Sequence, residues 1–131
     1  MPAYNFKAQF TPAVEAGQKL CTIRGRAARV GATAYLYTGM RTKACRKLGQ
    51  GKITNCEPIS LGSTVDGLPT GRLAGELLSQ KALNKLAKTD GFPNALAMID
   101  WFAETFDQLA LLNSGSWLVF EGFLTTWELD K

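Results

Sequence analysis

Apolar stretches in this chain are short, and glycine cuts them repeatedly, thirteen times in 131 residues. That punctuation limits the fold more than any other feature. Strand-length runs that end at glycine corners curl a sheet rather than extend it. Tyr4 to Phe10 alternates apolar and polar residues and predicts a half-buried strand. Thr11-Pro12 offers an N-cap and an early helical proline, so one short helix is expected over residues 12–16, closed by Gly17. Strands are expected over 20–24, 32–38 and 48–56, with residues 58–61 continuing the last of these. Gly62 to Gly71 reads as a turn-rich linker. Helical periodicity follows over 72–87, with Leu73, Leu77, Leu83 and Leu86 near one stripe. A second helix is expected from about Pro93, with Leu96, Ile99, Phe102, Phe106 and Leu109 facing the core, and then a final strand over 117–127. The order β-α-β-β-β, two helices, β predicts an α+β fold. Its expected form is a small, mostly antiparallel β-barrel with flanking helices, one domain over residues 1–131.

Charge is distributed unevenly. Residues 1–56 hold ten Lys or Arg and one acid, Glu15, whereas residues 57–131 hold ten acids and five bases. A basic face of this kind suits phosphates; two halves that neutralise each other across the fold are the alternative. No apolar run approaches the roughly 18 residues that span a bilayer. Met1 to Lys7 lacks a signal-peptide layout, so the expectation is a cytoplasmic protein with no membrane partner. Cys21, Cys45 and Cys56 are widely spaced in a chain without histidine, which argues against structural zinc and for reduced, mostly buried thiols. A site free of metal and cofactor is expected.

Polar chemistry is densest between Gly17 and Arg24. Thr22 and Arg24 share a strand face, and Lys19 precedes them in the turn after Gly17. An ammonium near a guanidinium has its charged form disfavoured, which suits a base, and a neighbouring threonine suits a nucleophile. Solvated charges beside an ordinary strand threonine explain the same pattern. Arg41, Lys43, Arg46 and Lys47, preceded by Tyr35 and Tyr37, suit phosphate contact with base stacking, and Arg26 and Arg29 extend this basic set; a solvated loop is the alternative. Asp100, Glu104 and Asp107 share a helix face and read as solvated acids rather than metal ligands. Trp101, Trp117 and Trp127 read as core or barrel-lid residues, and Trp117, following Gly115-Ser116, is also a candidate for the cleft.

Four motifs in order carry a family resemblance. Gly17-x-Lys19-x-x-Thr22-x-Arg24 resembles the signature of the ASCH superfamily, in its small single-domain bacterial or phage type. Gly31-x-x-Ala34-Tyr35-Leu36-Tyr37 is similar to that family's strand after a glycine turn, with Ala32 where an acid is usual. Asp90-Gly91-Phe92 with Met98 and Trp101-Phe102, and then Phe120-x-Gly122-x-Leu124-x-x-Trp127, resemble its later segments. The resemblance implies a PUA-like β-barrel with a cleft for RNA or a nucleoside. It also implies an amidohydrolase of N4-acetylcytidine using lysine, threonine and glutamate, which fall on Lys19, Thr22 and Asp90, the last one methylene shorter. Arg24 would then stabilise the oxyanion or bind substrate. Arg26, Arg29, Tyr37, Arg41, Lys43, Arg46 and Lys47 would contact nucleic acid. An RNA-binding module without turnover, or a ribonuclease, are the alternatives. Oligomeric state is not specified.

Overall fold

The computed structural model describes residues 3–106, 108–112 and 115–129. Its eight strands form one sheet, arranged around the two longest: β4, Arg46–Ser63, and β8, Trp117–Leu129. These pair antiparallel from Gly51↔Leu129 to Ser63↔Trp117. The other edge of β4 is shared. Its first half takes β3, Thr33–Thr38, and its second half takes β5, Pro69–Leu73. β1, Ala3–Phe6, joins parallel to β3, whereas β2, Cys21–Arg24, joins antiparallel to β8. Two-residue strands β6, Glu76–Leu77, and β7, Ala110–Leu111, lie on β5 and β8. Register shifts leave an extra residue on β4 at Thr54 and on β8 at Val119, and an extra residue on one strand raises the local twist. The result is an α+β protein whose sheet curls into a half-barrel, with three helices.

Those helices are α1, Thr11–Glu15; α2, Gln80–Thr89; and α3, Ala95–Thr105. The concave side of the sheet contributes Phe6, Leu36, Ile53, Leu61, Phe120 and Trp127, all at most 2 % exposed. Leu83 and Ala87 of α2 and Met98 and Phe102 of α3 close over that core. Among the described residues no helix is long and apolar enough to cross a membrane.

Several local expectations are corrected. The first strand stops at Phe6, because its partner β3 ends at the Phe6↔Thr38 pair. Ala8–Phe10 then turns as a 3-10 helix, with the Phe10 N–H donating to the Lys7 carbonyl at 2.9 Å. Thr11 lies inside α1 rather than capping it, and its hydroxyl donates to Lys7 O. Residues 62–71 form a β4–β5 hairpin in place of a linker. The helix expected over 72–87 is present only from Gln80. Ala74 and Gly75 have φ of 53° and 85° and form the tight turn between β5 and β6, the backbone sign that a two-residue hairpin needs. Ser79 then starts α2 by accepting from Ala82 N–H at 3.1 Å. Leu77, Leu96 and Leu109 are exposed, at 64 %, 52 % and 55 %. Leu77 lies on β6 and Leu109 beyond the end of α3, and the buried face of α3 carries Ala95, Met98, Ile99 and Phe102 rather than Leu96. Cys21 is buried, Cys56 half-buried and Cys45 exposed, so the expectation of mostly buried thiols fails at Cys45.

Candidate functional site: a buried ion pair under an aromatic cavity

Lys19 and Asp90 are 71 residues apart in sequence, yet their side chains meet in the core. Two copies of one helix-ending device bring them there. After α1, Gly17 N–H donates to Val14 O at 3.2 Å and Gln18 N–H to Ala13 O at 2.9 Å. After α2, Gly91 N–H donates to Lys88 O at 3.1 Å and Phe92 N–H to Ala87 O at 2.8 Å. Both are Schellman motifs, which require a left-handed residue. Gly17 and Gly91 supply it, with φ of 74° and 95°. A Cβ on Gly91 would also lie 2.9 Å from Phe10 Cδ1. Each motif reverses the chain within two residues of a charged side chain and turns that side chain inward.

The Lys19 ammonium donates to Asp90 Oδ1 and, at 2.9 Å, to the Asp90 backbone carbonyl. That carbonyl belongs to the C-cap of α2, where the helix dipole favours a cation. Phe6 and Phe10 present rings 5.7 and 5.4 Å from Nζ. Lys19 and Asp90 are each 4 % exposed. Burial pushes the Asp90 carboxyl above the ordinary carboxylate value, opposed by Lys19, Arg24 and the Cys21 thiol. Burial and the Asp90 charge push the Cys21 thiol up to about 12. Its Sγ faces Asp90 Oδ1 at 3.9 Å.

Arg24 organises the other wall. Its Nε donates to Thr22 Oγ1 at 2.9 Å and its Nη2 to the Asn5 carbonyl at 2.9 Å. The guanidinium lies over Tyr4 and Phe6, 5.4 and 5.3 Å from their centroids. Burial draws its pKa below the usual arginine value, against the pull of Asp90. Arg24 thus binds Thr22 and Asn5, while Lys19 binds Asp90; the two cations are held by different partners.

Lys19, Thr22, Arg24 and Asp90 all line one cavity of about 210 Å³. Phe6, Phe10, Ile23, Phe92, Trp101, Phe102 and Phe106 form its apolar wall, and Asn5, Lys7 and Thr105 complete it. The wall is a continuous ring cluster: Phe10, Phe92 and Trp101 contact one another at centroid distances of 5.4 to 5.8 Å. Sequence reasoning missed Asn5, Lys7 and this wall. The aromatic residues were legible as core candidates, but nothing in their spacing says that they leave a gap.

The remaining predicted residues lie elsewhere. Arg26 and Arg29 are exposed in the β2–β3 connection and do not line the cavity. Arg41, Lys43, Arg46 and Lys47 are exposed on the β3–β4 hairpin. Arg46 is paired with Glu15 at 2.6 Å, and Lys47 donates to Gln50 Oε1 at 2.6 Å while lying over Tyr35. Tyr37 is the register partner of Asn5. Trp127 is core and Trp101 is cavity wall, but Trp117 lies outside the cavity lining. Asp100 and Glu104 are exposed, and Asp107 lies outside the described residues. Among the described residues no three His, Cys, Asp or Glu side chains come together as a metal site. Comparison of the chain with protein-family models, curated proteins and solved structures gave no match.

Proposed function

We propose that this chain is an ASCH-type domain of PUA-like fold whose cavity takes a cytidine-like nucleoside, free or within single-stranded RNA, and hydrolyses the amide of N4-acylated cytosine. One observation supports the reading above all others: Lys19, Thr22, Arg24 and Asp90 line a single cavity walled by aromatic rings. The volume of about 210 Å³ is smaller than the roughly 300–1,000 Å³ of drug-sized sites, which suits one ring system. Aromatic faces suit a planar base.

The hydrogen bonds among Lys19, Asp90, Thr22 and Arg24 support the following chemistry. For Lys19 to act as the base, the proton of its ion pair with Asp90 has to sit on the carboxyl, and burial raises that carboxyl above the ordinary carboxylate value. The Lys19 amine then takes the Thr22 proton as Oγ1 attacks the acyl carbon. Arg24, already donating to Thr22 Oγ1, stabilises the negative charge that develops. Asp90 protonates N4 as the C–N bond breaks, releasing cytidine and leaving an acyl-threonine. Water attacks that ester, giving one proton to Asp90 while Lys19 returns one to Thr22. The net reaction consumes one water and yields cytidine and a carboxylic acid. A binding module without turnover is the second reading, favoured by the two bonds that already satisfy the Lys19 ammonium.

The test is incubation with N4-acetylcytidine, following loss of the acyl group. The expected outcome is turnover that drops at least about 100-fold in Thr22→Val and in Lys19→Ala. No turnover at high enzyme concentration, or unchanged turnover in both variants, rejects the hydrolase. Nucleoside binding without acyl loss selects the second reading.

A further inference from the structure

The exposed apolar residues are concentrated in one stretch of the chain. Nine large apolar side chains are exposed among the described residues, and all except Val30 lie between Val65 and Trp117. Apolar patches rimmed by polar residues mark contact surfaces. Four of these side chains, Val65, Leu77, Leu112 and Trp117, line one hollow of about 530 Å³. Its floor is low because Ser60, Gly62 and Thr70 are small. Ile59 and Leu61 are buried in the core, so Ser60 between them faces outward. No larger residue fits at Gly62, where a Cβ would lie 2.2 Å from the Trp117 carbonyl oxygen. None of the residues of this hollow lines the cavity around Lys19. Two opposed walls flank the floor. Ser60 pairs with Arg72 of β5 on one side and with Glu121 of β8 on the other, and Arg72 pairs onward with Leu77 of β6. The Arg72 and Glu121 backbones thus stand about 10 Å apart on either side of Ser60, with both side chains on its face. Neither has an ion-pair partner among the described residues. One wall therefore carries a cation and Leu77, and the other a carboxylate, Leu112 and Trp117.

We propose that this face is a homodimer contact, on which a second copy of the chain docks about a two-fold axis that runs parallel to β4 over Ser60. Such an axis exchanges the two walls. Arg72 of each copy then meets Glu121 of the other, and each Trp117 packs against the Leu77 side of the other hollow. A two-fold interface uses the same patch on both copies and has to be complementary to itself. One unpaired charge of each sign, placed symmetrically about Ser60, meets that condition. A partner of one sign would match only one wall. Docking neutralises both charges while it covers a tryptophan and leucines, the composition of an interface core with a polar rim.

Sedimentation equilibrium over a concentration series tests this, and the intact chain should show a monomer–dimer equilibrium whose Kd rises with salt. Arg72→Glu and Glu121→Arg each set like charges against each other twice per dimer, and each should raise that Kd at least about tenfold. An equimolar mixture of the two variants restores both pairs and should form a heterodimer within about threefold of the intact chain's Kd. Recovery in the mixture also shows that both variants are folded. Trp117→Ala should weaken association at least about tenfold. A chain that stays monomeric throughout overturns the proposal. If that monomer binds anilinonaphthalene sulfonate and Trp117→Ala loses the binding, the face takes a small apolar ligand instead of a second copy. A dimer unmoved by all three variants overturns this face as the contact, and a Kd independent of salt overturns the charge pairs. Two charge variants that keep the intact chain's circular dichroism yet stay monomeric when mixed overturn the two-fold arrangement.

Discussion

The cavity and the β3–β4 hairpin both present cations, and they treat them in opposite ways. Lys19 and Arg24 are held under aromatic rings by fixed partners, with Lys19 4 % exposed. Arg41 and Lys43 stand in solvent on a hairpin loop. A buried charge loses its hydration and depends on its partner, so its geometry is strictly determined. An exposed charge keeps its water, tolerates replacement and acts mainly through the field it contributes. Chemistry that needs atoms in register belongs to the first region, and attraction of an anion to the second.

The contrast is sharpest in the ion pair. Removing one partner, as in Lys19→Met or Asp90→Leu, should cost about 3–5 kcal/mol by leaving the other charge buried alone. The double variant should cost well below the sum of the two. Urea denaturation of the four proteins measures this cycle, and additive losses would show that the two charges are not coupled. Arg41→Ala and Lys43→Ala should each stay within about 0.5 kcal/mol in the same assay.

A smaller effect tests the turn that delivers Asp90. Gly91→Ala forces a side chain into a left-handed backbone and against Phe10, and should cost about 1–3 kcal/mol. The same change at Gly67, which is left-handed but has open space around it, should cost less. Equal losses would mean that the backbone sign alone matters and that the contact with Phe10 is relieved at little cost.

The thiols give the mildest test and the clearest readout. Cys45 is exposed on the hairpin and should be alkylated rapidly at pH 8 in the folded protein, while Cys21 should stay unmodified. An ordinary cysteine titrates near 9.0, and Cys21 is raised to about 12. Its contribution to stability is complete below pH 9 and declines as pH rises toward 12, because the unfolded chain releases the proton first. Cys21→Ala should therefore flatten part of the alkaline stability loss, by up to about 1.4 kcal/mol per pH unit within that window. Tyr4, also raised by burial, contributes in the same direction and remains in the variant.

Much of this was legible in the chain, and the exceptions have local causes. Gly17 followed by Lys19, Thr22 and Arg24 marked the floor of the cavity, because a helix-ending glycine and a two-residue strand period are both written in sequence. The short α1 and the closing β8 were also readable. Helical periodicity over 72–87 misled because Leu73 and Leu77 fit a helical stripe equally well, while Ala74-Gly75 makes a hairpin that only positive φ reveals. Trp117 looked like a candidate for the cleft, but it lines other hollows, one of them beside Ile99 and Ala103 of α3, and not the cavity around Lys19.

The sequence by itself determined the kinds of element, the basic half, and a polar cluster around Lys19. Helix ends, strand alternation and charge are short-range properties, so they survive without knowledge of the fold. Tertiary structure alone decided that Asp90 receives the Lys19 ammonium, that Asn5 bonds to both Arg24 and the hairpin, and that the aromatic residues leave a gap of about 210 Å³. Those contacts join residues 19 to 71 positions apart, and their existence depends on how the sheet curls. No local pattern encodes that curvature. It emerges from the bulges in β4 and β8 and from three strands, β3, β5 and β8, that all pair with β4.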